Sequence, residues 1–83
     1  MDWRSLPSLN SLRTFTAVAE TCSLSAAGRE LNVTHAAVSQ QVKALEQFLG
    51  LKLIVREGRG IALTPEGKQL FEGLSEGFEL IRE

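Results

Sequence analysis

The sequence predicts a mainly α-helical domain: three helices, the second and third joined by a tight turn, then a two-stranded β-hairpin and a fourth helix. Three observations carry this. Apolar residues recur at three- and four-residue steps in separate stretches, only Asn32 and Val33 part the second stretch from a new capping residue, and strand-like alternation surrounds a Gly-rich turn at residues 57–60.

The first helix is marked by Leu9, Leu12, Phe15, Ala19 and Cys22, with Pro7 and Ser8 as punctuation before it. This phase predicts that Cys22 lies in the core. Ser23 or Ser25 can cap a short second helix that buries Ala27, Gly28 and Leu31, and Asn32 tolerates the left-handed conformation that ends it. Glycine inside a helix costs about 1 kcal/mol relative to alanine, so Gly28 predicts close backbone approach by a neighbouring helix. Thr34 can cap a third helix over His35–Leu49, with Gly50 as its stop. At 100° per residue Val38, Val42, Leu45 and Leu49 form one stripe, Ala36, Gln40, Lys43 and Gln47 lie opposite, and Ser39 sits on the shoulder. The stretch "LKLIVREGRGIALT" predicts a hairpin with Leu53, Val55, Ile61 and Leu63 inward and two arginines, Arg56 and Arg59, near its tip. Thr64, Pro65 and Glu66 read as cap, first-turn proline and first-turn acid of the fourth helix, whose Leu70, Leu74, Phe78 and Ile81 keep helical spacing to the end of the sequence. A stripe that long exceeds what three short helices can cover and predicts dimerisation, a longer parent chain, or both.

Composition narrows the function. A chain of 83 residues holds one small domain, which buries only about 60–65% of its unfolded surface and so favours helical packing or a partner chain. A single cysteine excludes an internal disulfide and offers no metal-ligand spacing. With no apolar run near membrane-spanning length and no signal-peptide core in "MDWRSLPSLN", the expectation is a cytoplasmic protein with no membrane partner. Net charge is −1, yet the distribution is uneven. Residues 31–64 carry Lys43, Lys52, Arg56 and Arg59 against Glu46 and Glu57, a net +2, whereas residues 65–83 carry a net −3. The lone histidine has no evident acid partner and no paired cysteine, and a domain this small leaves little room for a pocket, so no enzyme, cofactor or metal site is expected.

The outward face of the third helix has the chemistry that duplex DNA requires. A major groove admits an α-helix, and side chains that reach base edges from its first turns are short or carry amide, hydroxyl or basic groups. Ser39 and Gln40 both donate and accept, His35 can bond a base edge or phosphate, Ala36 can touch a thymine methyl, and Lys43 can reach a backbone phosphate. Arg56 and Arg59 suit an adjacent minor groove, whose negative potential draws guanidinium groups. Ser25 and the free N–H groups beside it, at the amino end of the second helix, can hold a phosphate. Simple solvation also produces a polar helix face, two hairpin arginines taken alone are more often surface residues than minor-groove probes, and His35 at a helix start can be a capping or surface residue. A protein-interaction module that binds other proteins through the same face and the acidic tail is therefore the alternative of a different class.

Taken together, "LNSLRTFTAVAE", "AAGRELNVTHAAVSQQVKALE", the wing-like "LIVREGR" and "LTPEG" resemble the DNA-binding domain of LysR-type bacterial transcriptional regulators, over nearly the whole chain. "LPSLNSLRTF" and "LNVTHAAVSQQVKALEQ" are especially similar to the subgroup of glycine-cleavage activators and regulators of β-lactamase induction. The resemblance implies a winged helix-turn-helix over residues 1–64 with Thr34, His35, Ala36, Ser39 and Gln40 facing an operator, and Lys43, Arg56 and Arg59 on backbone or minor groove. It implies that residues 65–83 begin a linker helix pairing two subunits through Leu70, Leu74, Phe78 and Ile81, and it allows a tetramer in a full-length protein. It implies double-stranded DNA with an inverted-repeat operator as partner, and a small-molecule co-inducer sensed only by a C-terminal domain outside these residues. The sequence departs from the family pattern at Ala26, where a basic residue is frequent, at Ile54, where the wing often has phenylalanine, and at Gln40, where arginine or histidine is frequent.

Overall fold

Each of the four α-helices in the described residues, 1–82, starts behind a hydroxyl side chain. In the computed structural model, Ser8, Ser23, Thr34 and Thr64 accept from the backbone N–H groups of Ser11, Ala26, Ala37 and Gly67 at 3.0–3.1 Å, which satisfies donors that a helix start leaves orphaned. They open α1 (Leu9–Thr21), α2 (Leu24–Leu31), α3 (His35–Leu49) and α4 (Pro65–Arg82). Between α3 and α4, β1 (Ile54–Glu57) and β2 (Gly60–Leu63) pair antiparallel, with Ile54 opposite Leu63 and Arg56 opposite Ile61. A 3-10 turn at Trp3–Ser5, which periodicity did not anticipate, precedes α1.

The first three helices end the same way, on a left-handed residue: Cys22, Asn32 and Gly50, with φ of 54°, 59° and 69°. Asn32 and Gly50 are as expected; Cys22 corrects the expectation of a core residue. Its N–H still bonds Val18, but the left-handed turn carries the side chain out of helical phase and leaves it exposed. Ser23, not Ser25, caps α2. Gly28 is buried against a close neighbour as foreseen, but that neighbour is the connecting turn: a Cβ there would lie 2.8 Å from the Val33 carbonyl oxygen.

Two adjoining clusters form the core. Ala17, Val18, Ala27, Val38 and Val42 join the three helices of the helix-turn-helix. Phe15, Ala19, Leu45 and Leu53 form the other, against which Leu70, Phe71 and Leu74 of α4 pack. The stripe on α4 is thus divided. Leu70 and Leu74 are half-buried on the chain's own core, whereas Ile81 is 80% exposed, so the first half of the stripe has cover within the chain that its length alone did not suggest.

The hairpin inverts one expectation. Val55 is 45% exposed and Ile54 faces the core instead, touching both clusters. The cause lies one residue upstream. Leu53 is fully buried but outside the strand, its N–H and that of Ile54 donated to Glu46 Oε2 at 2.8 and 3.3 Å. Alternation begins only at Ile54, and a one-residue shift exchanges the faces. The Leu53 carbonyl accepts from Thr64 N–H at 3.0 Å and sits so close to the Gly67 Cα that a Cβ there would collide with it.

Gly67→Ala is therefore expected to destabilise the domain by about 1–3 kcal/mol, the usual cost of forcing extra volume into a packed site. Gly73→Ala, where nothing lies within 4 Å of the new methyl, is expected to stabilise it by about 0.5–1 kcal/mol through helix propensity. Urea unfolding of the two variants should show opposite signs; equal shifts would contradict the close contact at Leu53.

Candidate nucleic-acid interface

Two faces of α3 divide as its sequence requires. Val38, Val42 and Leu45 are at most 1% exposed, while His35, Ala36, Gln40, Lys43 and Gln47 are exposed and Ser39 is half-buried at the edge. Thr34 is exposed as well. Its Oγ1 accepts from Ala37 N–H at 3.0 Å, which leaves the hydroxyl hydrogen available to donate outward. The buried stripe anchors the helix, so the polar side is held out on a rigid element.

The hairpin folds back beside the amino end of this helix. Ser25, His35, Lys52, Arg56 and Arg59 line one cleft between the starts of α2 and α3 and the hairpin. These side chains come from α2, α3, the hairpin and the segment before it; Ser25, His35, Arg56 and Arg59 were each expected to meet DNA from their chemistry, and Lys52 was not. Ser25 is exposed in the first turn of α2, next to N–H groups at a helix start where anions are favoured. Gln40 and Lys43 do not line that cleft; they occupy the exposed face of α3 farther along. Leu70, Leu74, Phe78 and Ile81 take no part in it. Phe78 instead lines a groove with Leu9 and Thr16 of α1.

Lys52 is the residue that sequence reasoning missed. Its side chain is 75% exposed and stands 3.9 Å from Glu46 Oε1, and it borders both the cleft and the adjoining surface of Lys43 and Gln47. The signal was present in the charge count of residues 31–64, but nothing local in the sequence places Lys52 beside Ser25 and His35. Among the described residues the ion pairs are Arg4–Asp2, Lys52–Glu46 and Arg82–Glu79. Lys43, Arg56 and Arg59 thus carry charge that no carboxylate among the described residues holds, which suits them to an external anion. Among the described residues no three His, Cys, Asp or Glu side chains gather in a way that could hold a metal ion, and no helix is long and apolar enough to cross a membrane.

Comparison with known proteins agrees with this geometry. The family described as "Bacterial regulatory helix-turn-helix protein, lysR family" matches residues 9–68. The AhcY transcriptional activator HvrB of Rhodobacter capsulatus is 49% identical over 82 residues, 99% of this chain and 28% of its own length. The HTH-type transcriptional activator AmpR of Yersinia enterocolitica is 54% identical over 94% of this chain and 26% of its own. The glycine cleavage system transcriptional activator of Escherichia coli K12 is 50% identical over 94% and 26%. The chain spans about a quarter of the length of these curated relatives. Among solved structures, the CbnR DNA-binding domain in complex with DNA superposes with a TM-score of 0.83 at 36% identity, over 90% of this chain and 86% of that one. The BenM DNA-binding domain with benA site 1 DNA superposes at 0.85 and 30% identity, over 92% and 85%. Four helices and a two-stranded hairpin in this order are the winged helix-turn-helix that the sequence led one to expect.

The rigidity of the exposed face depends on the cap at its start. Thr34→Ala removes the acceptor for Ala37 N–H and is expected to cost about 1 kcal/mol of stability. A denaturation midpoint equal to that of the unaltered chain would mean that the cap contributes nothing.

Proposed function

Because this chain belongs to the LysR family of bacterial regulatory helix-turn-helix proteins, we propose that it binds double-stranded DNA sequence-specifically as the operator-recognition domain of a transcription regulator. In this reading residues 1–64 are the DNA-binding unit and α4, from Pro65 onward, begins a linker helix. The observation that carries it is the convergence of Ser25, His35, Arg56 and Arg59 on one cleft beside the exposed polar face of α3. The relatives' names as transcriptional regulators and the DNA complexes of similar chains support it.

The mechanism follows from side-chain chemistry. α3 enters the major groove amino end first; Thr34, Ser39 and Gln40 present hydroxyl and amide groups to base edges, and Ala36 presents a methyl. His35 and Lys43 reach bases or phosphates, and the start of α2 at Ser25 holds a phosphate. Arg56 and Arg59 on the wing enter the adjacent minor groove or grip its backbone. One subunit offers few contacts. Two α3 helices held about one turn of DNA apart double the readout and match an inverted repeat, and the α4 stripe supplies the pairing surface through the exposed Ile81 and the half-buried Phe78, Leu70 and Leu74. The same reading assigns co-inducer sensing to a further C-terminal domain and sets the protein to work in the cytoplasm, where bacterial DNA lies.

If each subunit neutralises three or four phosphates, log K falls with log salt at a slope of about −5 to −7 for the dimer; a slope near zero refutes the electrostatic footprint. Arg56→Ala with Arg59→Ala is expected to weaken duplex binding while leaving dimerisation unchanged, whereas a protein-interaction module would have no duplex affinity to lose. Gln40→Ala is expected to relax preference at one or two operator positions by about 1–3 kcal/mol. Binding selection from a random duplex pool reads this directly, and an unchanged preference at every position removes Gln40 from base readout.

A further inference from the structure

We infer that Glu46 aims the wing: it is a positioning residue that fixes the angle of the arginine-bearing hairpin to α3, and duplex binding depends on it. The inference rests on the DNA-binding reading above.

Glu46 organises the entire connection between α3 and β1. Its backbone carbonyl accepts from Gly50 and Leu51 N–H at 2.8 and 3.2 Å, ending the helix. Its carboxylate then reaches forward, and Oε2 takes the N–H groups of Leu53 and Ile54 while Oε1 faces Lys52 Nζ at 3.9 Å. The side chain is only 11% exposed, so these bonds form largely away from water, where charge-assisted bonds are stronger and better directed. Among the described residues these are the hydrogen bonds that join the hairpin base to α3.

A two-stranded hairpin does not hold its own orientation in water. Ile54, Ile61 and Leu63 seat it on the core, and tethers set its direction. β2 has one in Ile61 N–H, which donates to the Cys22 carbonyl at 3.2 Å, and Gly60 lets that carbonyl approach to where a Cβ would be 2.8 Å away. That bond ties the wing to the end of α1. Among the described residues, only the Glu46 carboxylate ties it by hydrogen bonds to the helix whose face meets the bases. From Ile54 to Glu57, where the turn begins, β1 extends about 10 Å at about 3.3 Å per residue, so a tilt of about 15° at the base displaces its far end by about 3 Å. A displacement of that size is a whole hydrogen-bond length, enough to separate a guanidinium from its phosphate.

The test is a double-mutant cycle on duplex affinity in the 83-residue chain, with E46A on one side and R56A/R59A on the other. E46A is expected to weaken binding within about twofold of R56A/R59A, and to make the salt slope shallower by about 2 per subunit, one for each arginine released. Combining the substitutions should add little further, since a misdirected wing has no arginine contact left to lose. E46Q keeps an acceptor oxygen in place and should fall between E46A and the unaltered chain. A purely structural role would lower the unfolding midpoint but leave the salt slope untouched, with the two losses multiplying; that result overturns the inference. Should E46A fail to fold, E46Q decides: accelerated amide exchange at Leu53 and Ile54 with a shallower slope supports it, and accelerated exchange with an unaltered slope and affinity overturns it. Absence of duplex binding by the unaltered chain would overturn the DNA-binding reading itself and this inference with it.

Discussion

Leu53 is the point on which the arrangement turns. Its side chain is fully buried against Phe15, Ala19 and Leu45, its N–H is held by a carboxylate of α3, and its carbonyl accepts from Thr64 while pressing on Gly67 at the start of α4. One residue thus fixes three elements at once. An apolar side chain alone would secure depth but not direction, because burial is non-directional. Direction comes from the two backbone groups, each satisfied by a different partner, and the hydroxyl of Thr64 adds a third bond to the Lys52 carbonyl at 2.6 Å. The helical core, the wing and the following helix are therefore set relative to each other by short polar links around a single aliphatic anchor.

Around that anchor the charges are arranged by position and not by total. A net charge of −1 would suggest indifference to a polyanion, but with a Debye length of about 8 Å at physiological salt a ligand senses the groups near it and little else. Lys43, Lys52, Arg56 and Arg59 lie on or beside α3 and the wing, and among the described residues the only acid within ion-pair reach of them is Glu46, which faces Lys52 while turned inward to the backbone. The acidic excess belongs to α4.

Much of the fold could be read from local chemistry. Hydroxyl caps and left-handed stops mark helix ends within a few residues of each other, and each lies next to the groups it satisfies, so Thr34, Asn32, Gly50 and Thr64 were legible. What escaped depended on distant partners. The face of β1 was misassigned because Leu53 bonds a side chain seven residues back, which delays the strand by one residue. Cys22 kept helical spacing but had already left the helix. Leu70 and Leu74 looked unpartnered because nothing local says that α4 returns to the core. On the candidate interface the exposed side of α3 followed from its period, whereas the meeting of Ser25, His35, Lys52, Arg56 and Arg59 is a product of tertiary folding, and Lys52 went unnoticed for that reason.

The left-handed Gly58 at the wing tip, with open space around it, stands apart from all of this. Both strands are clamped closer to the body, β1 at Ile54 and β2 at Ile61, so of the two residues between them Gly58 serves only to make the turn and Arg59 carries no packing. Such a tip is an interchangeable end on a fixed handle. The side chain at Arg59 can change without disturbing the helices, and a scaffold built this way can be retuned at its outermost position while its interior stays the same.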